Sequence, residues 1–237
     1  MTEFKKSEMS VQLVDHQGTD LSVVNAARVS FDKQSDWVTD DDDFYLLDPN
    51  EKEILSEKDA KLINYLAKHN HWTPFGHAFA TFRIKAPLFV ARQMGKHQVG
   101  LVWNEVSRRY VDSEPEFYIP ESFRGRAENV KQGSSQNAVE TPGAGQDYPG
   151  ITYAVETALA AYKGLLKDGV APELARMVLP QNMMTEWIWS GSLAAFSRVC
   201  RLRLDPHTQI ETQEVAKQIA TEMEVLFPVS WVALQND

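Results

Sequence analysis

From residue 79 to residue 86, apolar Ala80, Phe82, Ile84 and Ala86 alternate with polar Thr81, Arg83 and Lys85, the period of a strand with one buried face. Pro87 follows where a helix can begin, since its missing N–H is not needed in a first turn. A helix is predicted from Leu88 to about Lys96, with Gln93 and His97 one turn apart, as are Arg92 and Lys96. Gly95 and Gly100 are expected to interrupt it and to let backbone approach a ligand. Upstream, residues 11–14 read as a short strand and 21–29 as a helix of small and apolar residues. Ser56-Glu57-Lys58-Asp59 has the form of a capped helix start, and the helix running to His69 would bury Leu62, Ile63 and Leu66.

Downstream, residues 152–167 form an amphipathic pattern that buries Val155, Leu159, Tyr162 and Leu166 and stops at Gly169. Pro172 opens the next helix and Pro180 closes it. In 184–204 the aromatics Trp187, Trp189 and Phe196 are read as core, not as a stacking platform. A last helix over 206–227 would pack through Ile210, Val215, Ile219 and Leu226, a face that could equally serve a subunit interface. Residues 121–149 show neither a helical nor a strand period and read as a long surface excursion near the site.

A chain of 237 residues is long enough for one domain with a sizeable core. The net charge of -9 argues against general binding to duplex nucleic acid or an anionic membrane. Neither a membrane-spanning apolar run nor a signal-peptide core is present, and a cytoplasmic protein is expected. The single cysteine, Cys200, fits a reducing compartment and, among Phe196, Val199 and Leu202, reads as a buried and inert thiol. The acidic run Asp40 to Asp43 lacks the spaced ligands and turn glycine of a calcium loop and reads as solvated. His69, His71 and His77 invite a zinc site, but no cysteine or carboxylate completes a set at a usual spacing, so no metal is expected.

Against this acidic background, residues 92–109 hold four Arg or Lys, one carboxylate, one His and several neutral donors. Guanidinium forks suit phosphate, neutral donors suit a heterocycle, and a lone Glu can accept from a ring N–H or a ribose hydroxyl. From the residues alone, an anionic-ligand site and a charged helix face remain the two readings.

The pattern resembles the signature of the flavin-dependent thymidylate synthases: Arg-His-Arg, a spacer, Ser, then Gly-Arg-Tyr. Here it reads Lys96-His97-Gln98, eight residues, then Ser107-Arg108-Arg109-Tyr110, so both flanking arginines and the glycine are altered. Other phrases of that family occur in the same order: AARVSF at 26–31, HWTPFGH at 71–77, EFYIP at 116–120, ARMVLP at 175–180, and Leu202-Arg203 with Asp205, His207 and Gln209. The resemblance implies an α+β fold with a central, mostly antiparallel sheet flanked by helices. It also implies one catalytic domain over 1–237, with insertions at about 33–55 and 121–150.

The activity it implies is reductive methylation of dUMP to dTMP, with 5,10-methylenetetrahydrofolate as carbon donor, FAD as hydride carrier and NADPH as reductant. By that resemblance Arg203 and His97 are the catalytic groups. Gln93, Lys96, Glu105, Val106, Ser107, Arg108, Arg109, Arg176 and Arg203 bind substrate. His71, Thr73, Lys96, His97, Gln98, Glu105, Ser192 and Arg198 contact the flavin. Ser30 could hydrogen-bond a ligand, and a turn serine is its alternative. The partners implied are dUMP, folate and further copies of the chain in a homotetramer with shared sites, without nucleic acid or membrane. Two rivals stand beside this reading. One is a sister flavoenzyme that gives another pyrimidine product, such as a hydroxymethyl nucleotide. The other is a non-catalytic nucleotide- or nucleic-acid-binding protein that stacks bases on Trp103 and Tyr110.

Overall fold

The alternating segment is a strand with its apolar face sealed: Phe82, Ile84 and Ala86 are fully buried and Ala80 nearly so. The computed structural model describes residues 3–38, 54–128, 133–139 and 150–236. In chain order its first half has strands β1 (Lys5–Lys6) and β2 (Ser10–Gln17), helices α1 (Asp20–Arg28) and α2 (Glu57–Lys68), strand β3 (Phe79–Pro87), helix α3 (Leu88–Met94) and strand β4 (Leu101–Glu105). Strands β5 (Glu116–Phe117), β6 (Phe123–Arg126) and β7 (Ser134–Val139) precede helices α4 (Ile151–Lys167) and α5 (Pro172–Ala175). Strand β8 (Met184–Ser192) and helices α6 (Leu193–Arg203), α7 (Ile210–Leu226) and α8 (Pro228–Gln235) complete the chain.

The main sheet has the order β2-β3-β8-β4, and every neighbouring pair is antiparallel. Strands β3 and β4 therefore run in the same direction on either side of β8. To join them the chain must return along the sheet, from the Pro87–Met184 pair to the Leu101–Gly191 pair. Helix α3 and the loop after it make that return. This crossover places residues 93–98 beside α6 and α7.

One face of the sheet packs on helices. Phe82 and Trp189 both meet Phe196 of α6 edge-on, at 5.1 and 5.4 Å between ring centroids. Val199, Val215 and Ile219 from α6 and α7 join the same core. The other face carries polar pairs, including Thr81 with Ser190 at 2.9 Å and the ion pair of Arg83 with Glu186. A second, smaller core surrounds α4, with Val155, Leu159 and Tyr162 against Phe117, Ala175 and Met183.

Several expectations need correction. The helix after Pro87 ends at Met94, short of Lys96, because Gly95 caps it in right-handed helical geometry. The close approach that Gly100 permits is to protein. With φ of +75° it packs so tightly that a Cβ there would lie 3.2 Å from Ala195 Cβ, and a Cβ on Gly191 would lie 2.8 Å from the Gly100 carbonyl oxygen. The last helix does not start at Pro206: α7 begins at Ile210, and α8 is separate. Its first turn is held by Asp20, whose carboxylate accepts from the N–H groups of Val229 and Ser230, each at 2.9 Å. Leu62, Leu166 and Leu226 are only partly buried, at the margins of their cores.

The stretch 121–149 is not without strand structure, since β6 and β7 form an antiparallel hairpin. The rest of it, 129–132 and 140–149, lies outside the described residues, as does 39–53 with the Asp40 to Asp43 run. Val38 and Ile54, on either side of 39–53, exchange two backbone hydrogen bonds of 3.0 and 3.1 Å. Among the described residues no helix is long and apolar enough to cross a membrane.

Candidate active site

Three elements separated in sequence meet around Gln93. From the last turn of α6, Arg203 donates through Nε to His97 Nε2 at 2.9 Å and through Nη2 to the Gln93 carbonyl at 3.1 Å. From the start of α7, Gln209 accepts from the Gln93 amide nitrogen, and Thr212 donates to Gln93 Oε1 at 3.1 Å. Because Arg203 donates to Nε2, His97 must be neutral, with its proton on Nδ1. Burial, then the Arg203 and Arg198 charges, push the His97 pKa below its ordinary value, in agreement with that tautomer. Burial also lowers the pKa of Arg203, which starts so high that the guanidinium stays charged.

Beside this network lies a cleft of about 400 Å³. Arg92, Lys96, His97, Gln98 and Glu105 supply its polar wall, and Leu88, Leu101 and Trp103 its apolar one. Arg92 and Lys96 are exposed and have no carboxylate partner among the described residues. Glu105 is fixed from two sides, accepting from Thr185 Oγ1 at 2.7 Å and from Trp103 Nε1 at 3.3 Å. Trp103 stacks on Trp187 at 4.3 Å, so one of its faces is already taken by protein. Arg198 donates to the Val99 carbonyl at 3.0 Å and so holds the loop. Ser192 is buried and caps α6, accepting from the Ala195 N–H at 3.3 Å.

The chain leaves β4 through Val106, whose N–H donates to the Glu186 carbonyl at 2.9 Å. Ser107 Oγ accepts from the Arg109 backbone N–H and from its Nε, both at 3.3 Å, and the Arg109 guanidinium lies 4.9 Å from the Tyr110 ring centre. Arg108 reaches forward to the Ser113 carbonyl and closes the turn. Arg176 lies on the turn after α5 and does not line the cleft. Its Nε donates to the Glu173 carbonyl at 3.3 Å.

His71 and Thr73 are not brought to this cleft. They line a different cavity of about 710 Å³ between α1 and α2, together with Arg28, Ser30, Lys33, Lys58, Tyr65 and Trp72. The two cavities share no lining residue. The wall at Arg28 rests on Asp59. This carboxylate accepts from Arg28 Nε at 3.0 Å, from Ser35 Oγ at 3.0 Å and from Ser56 Oγ at 2.8 Å. Burial alone would raise the Asp59 carboxyl, but hydrogen bonds from Arg28, Ser56 and Ser35 outweigh it and hold the group below its ordinary value. His77 is exposed, and among the described residues no three His, Cys, Asp or Glu gather as a metal site.

Sequence reasoning passed over Thr212 and Thr185, which orient Gln93 and Glu105. The signal for Thr212 was its position three residues after Gln209, on the same face of a helix. Nothing local marked Thr185, which meets Glu105 only because β4 pairs with β8.

A model of the Thy1 family, described as thymidylate synthase complementing protein, matches residues 12–229. The flavin-dependent thymidylate synthase of Thermus thermophilus is 37% identical over 95% of this chain and 75% of its own length. The chain belongs to the flavin-dependent thymidylate synthase family. Its relative of that name from Kosmotoga olearia is also 37% identical, over 95% of this chain and 90% of its own length. Among solved structures, the UMP/dUMP methylase PolB from Streptomyces cacaoi bound with 5-Br dUMP is similar, with a TM-score of 0.76 and 28% identity, covering 99% of this chain and 97% of that one. The same methylase bound with 5-Br UMP gives a TM-score of 0.74 at 27% identity, covering 98% and 96%. The α+β fold with its antiparallel sheet is thus shared with relatives of this family. Where this chain departs from the flavin-dependent thymidylate synthase signature, Lys96 and Gln98 line the cleft, while Arg108 serves the turn.

Proposed function

We propose that the chain converts dUMP to dTMP by reductive methylation, taking the carbon from 5,10-methylenetetrahydrofolate. The observation that carries this reading is the joining of Gln93, His97 and Arg203 into one hydrogen-bonded network beside a cationic cleft. Arg203 is held at two atoms, so its charge is oriented before a ligand arrives, and it stabilises negative charge on the pyrimidine at N3. Gln93 and the turn from Glu105 through Val106, Ser107 and Arg108 to Arg109 enclose the nucleotide, and Arg176 with Arg109 receives its phosphate. His97 keeps its Nδ1–H free to donate, next to Lys96 and Gln98.

The residues fit FAD. Apolar walls at Leu88, Leu101 and Trp103 suit a flat ring system, and the cations Arg92 and Lys96, without a carboxylate partner among the described residues, suit a pyrophosphate. When bound, the flavin supplies the hydride, and NADPH restores it. Lys96, His97, Gln98 and Glu105 would hold it on the cleft side, with Arg198 and Ser192 behind the loop, and His71 and Thr73 from the second cavity. Burial pushes the Cys200 thiol pKa up, which keeps the thiol protonated and leaves covalent thiol chemistry without a nucleophile. The family resemblance implies a homotetramer with shared sites, in which His71 and Thr73 of one protomer's larger cavity would complete its partner's cleft.

Purified protein is incubated with FAD, NADPH, methylenetetrahydrofolate and dUMP, and the nucleotide product is weighed by mass spectrometry. Appearance of dTMP only when both FAD and NADPH are present supports the assignment. Flavin reduction by NADPH with dUMP unchanged would overturn it. UMP is run in parallel, because the PolB neighbour is a UMP/dUMP methylase.

A further inference from the structure

Gln93 is gripped by two residues of one helical turn, Gln209 and Thr212, and between them stands Glu211. Glu211 is only 4% exposed. A carboxylate in a first helical turn is favoured by the helix dipole, but a buried one without a partner is strongly disfavoured. Its partner comes from the β6–β7 hairpin. Arg124 Nη2 reaches both Glu211 carboxylate oxygens, at 2.6 and 2.8 Å. Arg124 is itself locked across the hairpin, donating through Nε to Ser134 Oγ at 2.9 Å. Gly133, beside Ser134, lies against the preceding loop, where a Cβ would stand 3.7 Å from the His207 carbonyl oxygen.

We propose that Arg124 is a positioning residue for nucleotide binding: it pins the first turn of α7 to the hairpin and thereby holds Gln93 and Arg203 in register. The chain of contacts is continuous. Arg124 fixes Glu211, the Glu211 turn fixes both ends of the Gln93 amide, and the Gln93 carbonyl receives Arg203. Arg124 does not line the cleft. Its guanidinium is engaged by Glu211 and Ser134, so its effect on binding is exerted through the turn. The proposal rests on the reading that Gln93 and Arg203 serve the nucleotide.

The rival account is that the pair merely balances a buried charge. Three variants of the flavin-loaded protein separate the two: Arg124→Ala, Arg124→Lys and the double variant Arg124→Ala with Glu211→Gln. Each is measured for melting temperature, flavin content by absorbance, dUMP dissociation by calorimetry, and KM and kcat. In Arg124→Ala, dUMP dissociation and KM should rise on the order of tenfold or more, since small misplacements of binding groups are costly. Flavin content should hold, and Arg124→Lys should recover part of the loss. The double variant removes the stranded charge, so its melting temperature should recover while dUMP binding stays weak. Recovery of both in the double variant would overturn the proposal, as would unaltered dUMP binding in Arg124→Ala. Gln93→Ala is the control on the underlying reading: if that variant binds dUMP normally, the nucleotide-site assignment itself fails.

Discussion

In the network beside the cleft, Gln93 has both ends of its amide occupied, and Arg203 is bonded at two atoms. In the larger cavity, Ser30, His71 and Thr73 are exposed, and none makes a side-chain hydrogen bond among the described residues. Only the base of that cavity is wired, through Asp59. The contrast separates a site organised before ligand arrives from one whose contact groups wait for a ligand or a second protomer to order them. Preorganised dipoles do the most for charge stabilisation, whereas groups that only bind can be ordered on binding at an entropic cost. The network beside the cleft thus suits the chemical step, and on the proposed reading the larger cavity, through His71 and Thr73, would add to the retention of a flavin held in the cleft.

The strongest attempt to break this comparison is Asp59→Ala. It leaves Arg28 largely buried without its carboxylate and should cost about 3–5 kcal/mol of stability. Denaturant unfolding measures that cost, and flavin retention should fall while dUMP binding persists. Loss of dUMP binding with flavin retained would remove the larger cavity's share in holding the flavin. Arg203→Ala should lower kcat by about a hundredfold or more, the scale seen on removing one preorganised donor at a developing charge. Absorbance should show the flavin still bound, and normal turnover would remove Arg203 from its role.

A smaller effect is expected at Asp20. Asp20→Ala leaves two N–H groups of α8 without their cap and should cost about 1 kcal/mol by chemical denaturation. Because α8 packs on α2, the larger cavity should loosen before the cleft does. The smallest effect concerns pH. His97 has a folded pKa below its unfolded value, so its contribution to stability is complete above about pH 6.5. As pH falls below that value the unfolded chain takes up the proton first, and the contribution is lost through the folded pKa. His97→Gln can still accept from Arg203 but does not titrate. The stability advantage of the wild-type protein over this variant should therefore shrink between neutral and mildly acid pH. An advantage that grew on acidification would contradict the neutral tautomer.

Much of the molecule could be read without coordinates. The alternation 80-82-84-86 gave the buried face of β3 in the correct phase, and the patterns of α2 and α4 marked Ile63, Leu66, Val155, Leu159 and Tyr162 as buried. Cys200 and the aromatics Trp187, Trp189 and Phe196 are core, as their apolar surroundings implied. The spaced phrases identified the family even though its signature is altered at Lys96, Gln98 and Arg108. These features are local, because side-chain period and motif order are properties of neighbouring residues.

What the chain did not disclose by itself depends on partners far away in sequence. Strand β8 has no clean alternation signal in Met184–Ser192, and it is a strand because β3 and β4 pair with it on both sides. Leu101–Glu105 follows a glycine-broken helix and becomes strand β4 only against the same neighbour. The hairpin at 123–139 contains polar and small residues, and it is anchored by one buried ion pair to Glu211. The spaced family phrases named the individual groups of the site, Gln93, His97 and Arg203 among them. Only the crossover of α3 past β8 brought them together, since hydrogen bonds between residues more than a hundred positions apart leave no trace in local pattern.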